Sequence, residues 1–583
     1  MFKLFKYLKR YWWQVAILVV ATGGQVYATL QLPALMADII NNGIVPSDMG
    51  RVWISGAFML GLAIVSAGLS FLTSYLSAKV GANFARDLRA DVFQKILNFN
   101  LADMKNFSTA SLITRTTNDV NQVQNVLILM LQVLLRAPLF CVLGLVMAIQ
   151  TAPEMSWIIA VGIVAVVVSA VVVLSIVGPK FKLFQTMIDK ITLITRENLT
   201  GLKVIRAFNN EKVESQKFTK TNNELTKLLI FIDRIMELQN PLINIIFNGT
   251  TLLCYWVGIS FLSSNFAYLG NMTAFAEYVT YVMMSFLMLS MIFVMIPRAN
   301  VSAERISQVL KTKERVHFAK ATKGVPSKHA SVEFRKVDFS YPDASEKVLD
   351  DISFRAEAGE TVAFIGSTGS GKSTLINLVP RFYEATSGEI FINDIPVKDY
   401  ARDDLMARIG LVPQRGLLFA GTVKSNIKFG APNATDEQVK RAAEIAQATN
   451  FVEKLPNGFS SHIAQGGTNV SGGQRQRLSI ARAICKEPDI YIFDDAFSAL
   501  DMKTDAKLRA ALKPVTGDAV TLIVAQRVST IRDADQIIVL DNGKMVGRGT
   551  HKELLKSCDV YQSIVKSQLS DAEWRKELNG ASR

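Results

Sequence analysis

Cysteine is scarce in this chain. Its 583 residues hold four, Cys141, Cys254, Cys485 and Cys558, with no paired spacing between them. That argues against a disulfide framework and against a zinc site, since both need cysteines at short, regular intervals. No internal repeat and no low-complexity tract stands out. The opening stretch Met1–Trp13 is basic and amphipathic, but no small-residue cleavage site follows, so it does not read as a signal peptide. It reads as an interfacial elbow helix with a Trp12/Trp13 belt. The turns near 41–51, 150–154 and 265–271 almost lack basic residues, Arg51 being the exception.

What the chain has in abundance is apolar residues, 50% of the total, placed unevenly. Six segments, approximately 14–40, 53–80, 126–149, 155–178, 243–264 and 272–297, are long and apolar enough to cross a bilayer, which takes about 20 residues each. The stretches 81–125 and 179–240 are long, rich in Lys and Arg, and keep helical periodicity. By the positive-inside rule these two loops and both termini are cytoplasmic. Cytoplasmic Lys and Arg then explain the net charge of +14 more simply than nucleic acid does. The expected domains are a transmembrane domain at 1–310, a charged linker at 311–330, a soluble α/β domain at 331–570 and a polar tail at 571–583. In the soluble part, Val332–Phe334 and Val337–Tyr341 alternate as antiparallel strands would.

Residues 366–374 fit the phosphate-binding loop pattern G-x-x-x-x-G-K-[ST]: Gly366, Ser367, Thr368, Gly369, Ser370, Gly371, Lys372, Ser373 and Thr374. An apolar strand, Thr361–Ile365, precedes them, and Leu375–Val379 reads as a helix. Glycines let the backbone N–H groups turn inward onto a polyphosphate, and the helix N-terminus adds partial positive charge. Lys372 is placed to reach the β- and γ-phosphates of ATP, and Ser373 to bind Mg²⁺. Tyr341 ends a strand before Pro342, where it can stack on an adenine ring. Asp489–Asp494 is an apolar strand ending in an acid, with Asp494 a Mg²⁺ partner through water. Ser471, Gly472, Gly473 and Gln474 open a basic helix, a second anion site.

The Ser471–Gln474 signature lying between a phosphate loop and an acid-ended strand resembles that of the ABC transporter ATPases. Tyr341, Gln414 and Ser498–Asp501 then look like that family's A-loop, Q-loop and D-loop, with Gln414 beside Ser373 and Asp494 at the metal. Six preceding spans with long cytoplasmic loops, and the Thr114–Gln124 stretch, resemble a half-transporter of the type I (type IV) exporter class. The resemblance implies a membrane all-α six-helix domain with long cytoplasmic helix extensions. Fused to it is an α/β P-loop ATPase domain with an antiparallel β subdomain and a helical subdomain.

Two positions depart from the family pattern. Asp495 stands where the general-base Glu is usual, and Gln526 where the switch His is usual. One methylene retracts the carboxylate by about 1.5 Å, and misplacement on that scale can lower a rate by about 10²-fold. The family's head-to-tail dimer would then have this chain's own site bind ATP but turn it over poorly. Its Ser471–Gln474 would complete a competent site on the partner. That points to a heterodimer with a homologous half-transporter carrying the intact Glu and His, in a bacterial plasma (inner) membrane. The alternatives are a homodimeric exporter or flippase with a slow but working ATPase, and an ATP-gated channel or regulator.

Polar residues inside spans are expensive and tend to face the interior. Gln25, Gln31 and Asp38 in the first span, Arg136 in the third and Glu277 in the sixth are therefore candidates for a substrate path, alongside Met284 and Met288 of a methionine-rich sixth span. Such a path suits hydrophobic or amphipathic compounds, drug or lipid-like. Neither nucleic acid nor a disulfide enters this reading.

Overall fold

The computed structural model describes residues 2–262, 268–313, 316–327, 329–342, 344, 346–570 and 574. The polar tail lies outside them except for Trp574, as do parts of the linker and of the 265–271 turn. The chain forms two compact units, Met1–Leu97 with Ala110–Lys311, and Asn98–Thr109 with Thr312–Arg583.

The first unit is helical. A tight-wound segment, Phe2–Tyr11, leads into α1 (Trp12–Asp38), followed by α2 (Met49–Leu97). The third span, Thr109–Thr151, is interrupted by π-helical turns at Arg115–Asp119 and Met130–Leu134 and ends in α3 (Leu135–Thr151). Then come α4 (Ser156–Thr200), α5 (Glu211–Leu262) and α6 (Tyr268–Lys311). Among the described residues, six helices are long and apolar enough to cross a membrane. The 49 residues of α2 and 52 of α5 run for more than 70 Å at about 1.5 Å per residue. A hydrocarbon core is only about 30 Å thick, so both helices extend well beyond it.

Helix α1 packs against α2 and α4 against α5, while α6 touches all the other spanning segments. Short ties fix the ends. Tyr7 donates to Asp91 and Tyr11 to Asp87, each at 2.6 Å, and these bonds staple the N-terminal segment to α2. At the other end of α1, Asp38 accepts from Arg51 at 3.1 Å and from Asn42 at 2.7 Å. That carboxylate is an ion pair between α1 and α2.

Among its described residues the second unit carries twelve strands. They are β1 (Ser331–Phe339), β2 (Leu349–Glu357), β3 (Thr361–Gly366), β4 (Ser387–Ile392), β5 (Ile395–Pro396), β6 (Ile409–Val412), β7 (Gly421–Thr422), β8 (His462–Ile463), β9 (Ile490–Asp494), β10 (Val520–Val524), β11 (Gln536–Asp541) and β12 (Lys544–Gly549). Six of them form a sheet in the order β12-β11-β3-β10-β9-β6, parallel except for the β11–β12 pair. Four form an antiparallel sheet in the order β2-β1-β4-β5. The two segments expected as strands, Val332–Phe334 and Val337–Tyr341, fall in one strand, β1, except that Ser340 and Tyr341 lie past its end. Its register shifts between Phe334 and Val337, where Lys336 takes a φ of +48°, so both halves still turn their apolar residues inward.

Residues Asn98–Thr109, from the first long loop, pack within this second unit. They hold a short helix, Leu101–Lys105, capped by Asn100. Ala102 joins the core beneath the antiparallel sheet, Phe99 is buried, and Asn98 accepts from Arg402 at 3.1 Å. In the second loop Leu202, Val204 and Phe208 stay exposed around the short helix Leu202–Ala207. All four cysteines are free.

Candidate functional site

The parallel sheet brings the chemical residues together because β3 and β9 end on the same side, with β10 between them. From β3 the chain enters the glycine loop and then α7 (Lys372–Leu378). Gly371 caps that helix at a φ of +95°, and a Cβ there would lie 2.8 Å from the Val348 carbonyl oxygen. Only glycine fits. Gly366 is equally confined, since a Cβ would sit 2.0 Å from the Leu540 carbonyl oxygen. Ser367, Thr368 and Gly369 are exposed at the loop's tip, while Ser370 and Thr374 are buried. Lys372 Nζ donates to the carbonyls of Gly366 (2.9 Å) and Ser367 (2.6 Å) and to Ser370 Oγ (3.2 Å). Burial depresses this ammonium below its ordinary value, opposed by Asp495 and Asp494.

Ser373 Oγ donates to Asp494 Oδ1 at 2.8 Å, which joins the loop to the end of β9. Burial pushes the Asp494 carboxyl above the usual carboxylate range; the Ser373 bond opposes this, Asp495 adds to it and Lys372 opposes it. Among the described residues no group of three His, Cys, Asp or Glu gathers to hold a metal. One hydroxyl and one carboxylate suit Mg²⁺, which takes few protein oxygens and fills its shell with water and phosphate.

Asp495 is the hub of the site. It lies at a φ of +48°, is 7% exposed, and its Oδ2 accepts from two amides, Gln526 Nε2 at 2.9 Å and Gln414 Nε2 at 3.2 Å. Both positions that depart from the family pattern are therefore bonded to each other. Gln414, expected beside Ser373 and Asp494, donates from its Nε2 to Asp495; its amide oxygen is the atom that suits a metal.

Tyr341 bonds Thr374 Oγ1 at 2.9 Å and is flanked edge-on by Phe339 and Tyr383, with ring centres at 5.0 and 5.3 Å. Asp338, which sequence reasoning passed over, anchors the turn that carries it. Asp338 accepts from the Asp351 N–H (2.9 Å), Ser387 Oγ (2.7 Å) and Lys347 Nζ (2.9 Å), and these bonds hold its carboxyl down at about 2.

Ser471 is the N-cap of α8 (Gly472–Cys485), in a reciprocal capping box with Gln474. Gly473 packs 3.3 Å, at its absent Cβ, from the Ala499 carbonyl oxygen, so the signature adjoins the D-loop. Asp501 caps α9 (Met502–Leu512) by accepting from the Thr504 N–H at 2.9 Å. A second residue missed by sequence reasoning, the buried Gln476, grips the Q-loop backbone. Its Oε1 accepts from Gly416 N–H at 2.8 Å and its Nε2 donates to the Pro413 carbonyl at 3.0 Å. A glutamine inside a basic helix carries no sequence signal for that role.

The residues expected along a substrate path all lie within the first unit. Gln25 is buried and accepts weakly from Thr73 at 3.5 Å, and Gln31 is half-buried. Arg136 is half-buried over the Phe140 ring at 5.5 Å. Glu277 and Met284 are exposed and Met288 is half-buried.

Residues 15–286 match the family description "ABC transporter transmembrane region", and residues 349–498 match "ABC transporter". The chain is 38% identical to an uncharacterized ABC transporter ATP-binding protein of Mycobacterium tuberculosis (strain CDC 1551 / Oshkosh), over 95% of this chain and 96% of that protein. It is 37% identical to the uncharacterized ABC transporter ATP-binding protein YfiB of Bacillus subtilis (strain 168), over 97% of this chain and 98% of the relative. Identity to an ATP-dependent lipid A-core flippase of Desulfotalea psychrophila (strain LSv54 / DSM 12343) is 31%, over 95% of this chain and 96% of the flippase. A solved bacterial Atm1-family ABC exporter with ATP bound shares the fold, with a TM-score of 0.78 at 22% identity, covering 97% of this chain and 99% of the other. The chain belongs to the ABC transporter family, as a half-transporter that unites a six-helix membrane domain and an ATP-binding domain in one polypeptide.

Proposed function

We propose that this chain is one subunit of an ATP-driven exporter for hydrophobic or amphipathic compounds, working as a heterodimer. The observation that carries the heterodimer reading is the shared oxygen of Asp495. Two amide N–H groups converge on its Oδ2. Both amides hold that oxygen in place within the site. The side chain is also one methylene short of the usual glutamate. The chain's own site therefore binds ATP through Tyr341, the Gly366–Thr374 loop and Lys372 and holds Mg²⁺ through Ser373 and Asp494, with slow turnover. Ser471, Gly472, Gly473 and Gln474 serve the nucleotide of a homologous partner that has Glu and His at the two altered positions. Both termini lie in the cytoplasm of a bacterial cell, and the 31% identity to a lipid A-core flippase keeps lipid-like cargo among the substrates.

The test is to tag the chain, solubilise native membranes, identify what co-purifies and measure ATPase in that complex. A single six-span relative with Glu and His supports the reading. A self-associated chain with brisk ATPase would return the account to the homodimeric alternative.

A further inference from the structure

Helix α6 packs against every other spanning segment, yet one stripe of it stays open. Phe275, Tyr278, Val279, Val282 and Met283 are at most 2% exposed. Glu277, Thr280 and Met284, spaced three and four residues apart, are exposed, with Tyr281 half-buried beside them. Residues at this spacing share one face of a helix. Glu277 lies five residues inside the apolar 272–297 segment, or about 7 Å along the helix, toward one end of a span that needs about 20 residues to cross a bilayer.

The two charges near this stripe are treated differently. Arg136 on α3 sits over the Phe140 ring at 5.5 Å, and Phe140 stacks on Tyr281 with ring centres 5.5 Å apart and planes at 16°. The guanidinium thus has an aromatic face to offset its charge, although its Nε is buried without a hydrogen-bond acceptor. Glu277 has no such offset. Among the described residues no Lys, Arg or His pairs with it, and no donor reaches it. An acid left open on a spanning helix is too costly to face lipid tails, and such residues face the interior of a bundle or its water-filled cavity.

We infer that Glu277 is the charge-selecting residue of the substrate path, and that the chain's cargo is an amphipathic cation. Its positive group sits against Glu277 and its apolar body lies along Tyr281 and Met284. A thioether and an aromatic ring accept varied apolar shapes, while the carboxylate fixes the sign of the charge. Arg136, farther along the same aromatic ladder, repels the cationic end and orients the molecule. This rests on the exporter reading above and narrows it to a substrate class.

Tetraphenylphosphonium and tetraphenylborate are nearly equal in shape and opposite in charge. Their uptake by proteoliposomes holding the purified native complex gives the test. Wild type is expected to favour the phosphonium. Glu277→Gln should weaken its half-maximal concentration by about tenfold, the loss of one charge-assisted contact. Glu277→Asp should retain the preference, and Glu277→Lys should reverse it toward the borate. If all variants keep the wild-type preference, Glu277 does not select charge and the inference falls while the exporter reading stands. If Glu277→Gln and Glu277→Lys instead dissociate the complex on gel filtration, Glu277 is an intersubunit contact and the inference also falls. If the wild-type complex hydrolyses ATP but moves neither ion, an amphipathic cation is not the cargo and the inference falls, while the exporter reading stands on its own test.

Discussion

Asp495 shows what one methylene does. A glutamate at this position would carry its carboxylate one methylene farther from the backbone; the aspartate is shorter, and Gln414 and Gln526 both hold the same oxygen. Replacing Asp495→Glu together with Gln526→His in the assembled complex should raise turnover at this site by about 10²-fold, the loss expected from a misplacement on this scale. An unchanged ATPase rate would show that the restraint lies elsewhere, for example in the partner's signature. Asp338 offers a second test. Its carboxyl is held down at about 2, so its contribution to stability is complete above the ordinary carboxylate value near 4 and is lost as pH falls through the lower one. Asp338→Asn should lower Tm at neutral pH by about 2–4 °C, the shift given by roughly 1 kcal/mol in a domain of this size. The gap between variant and wild type should narrow as the solution is acidified. A gap independent of pH would mean the side chain acts by shape, not charge.

At the scale of elements, the ATP-binding unit is a set of short loops tied to one another. Gln476 of the signature helix holds the Q-loop backbone at both a donor and an acceptor. Gln476→Ala would leave the half-buried Gly416 N–H without its partner, at a cost of about 1 kcal/mol. Hydrogen exchange should then report faster opening at 413–416, with the Gly366–Thr374 loop unaffected. Protection unchanged at 413–416 would remove Gln476 from that role. The helix Leu101–Lys105 reaches the same unit through Phe99 and Ala102. Truncating Phe99→Ala should destabilise that unit by about 3 kcal/mol, as for other large aromatics in a core, and a thermal scan of the intact chain would detect it.

The motifs were readable because phosphate chemistry fixes residue types at fixed spacing. Glycine is the only residue that fits at Gly371, and lysine and serine must follow it. The spans were readable from composition alone. Their open faces were not. Helix α6 is apolar nearly all round, so its sequence gives no sign that Tyr278 is covered and Glu277 is open. Gln25 and Glu277 looked alike as polar residues in apolar runs, and only packing separates the buried amide from the exposed acid. The single bent strand β1 was split in the sequence reading because Lys336 breaks the alternation. A left-handed bulge cannot be told from a turn by pattern. The binding of both amides to one Asp495 oxygen joins residues more than thirty positions apart, and no local pattern encodes it.

For the whole molecule, a six-helix membrane unit and an ATP-binding unit lie in one chain. Family members of this kind are completed by a second half. A homodimer would hold two copies of the restrained Asp495–Gln526 site and none with the usual Glu and His. The proposed heterodimer would give each chain a distinct part, with retained nucleotide on one side and turnover on the other. The native mass of the tagged complex, taken with its ATPase rate, tests this most directly. The account predicts two chains of unequal mass, one of 64.3 kDa and one a relative with Glu and His, and ATPase that survives Lys372→Ala in this chain at a reduced rate. A complex of twice 64.3 kDa, with rapid ATP hydrolysis abolished by Lys372→Ala, would contradict it.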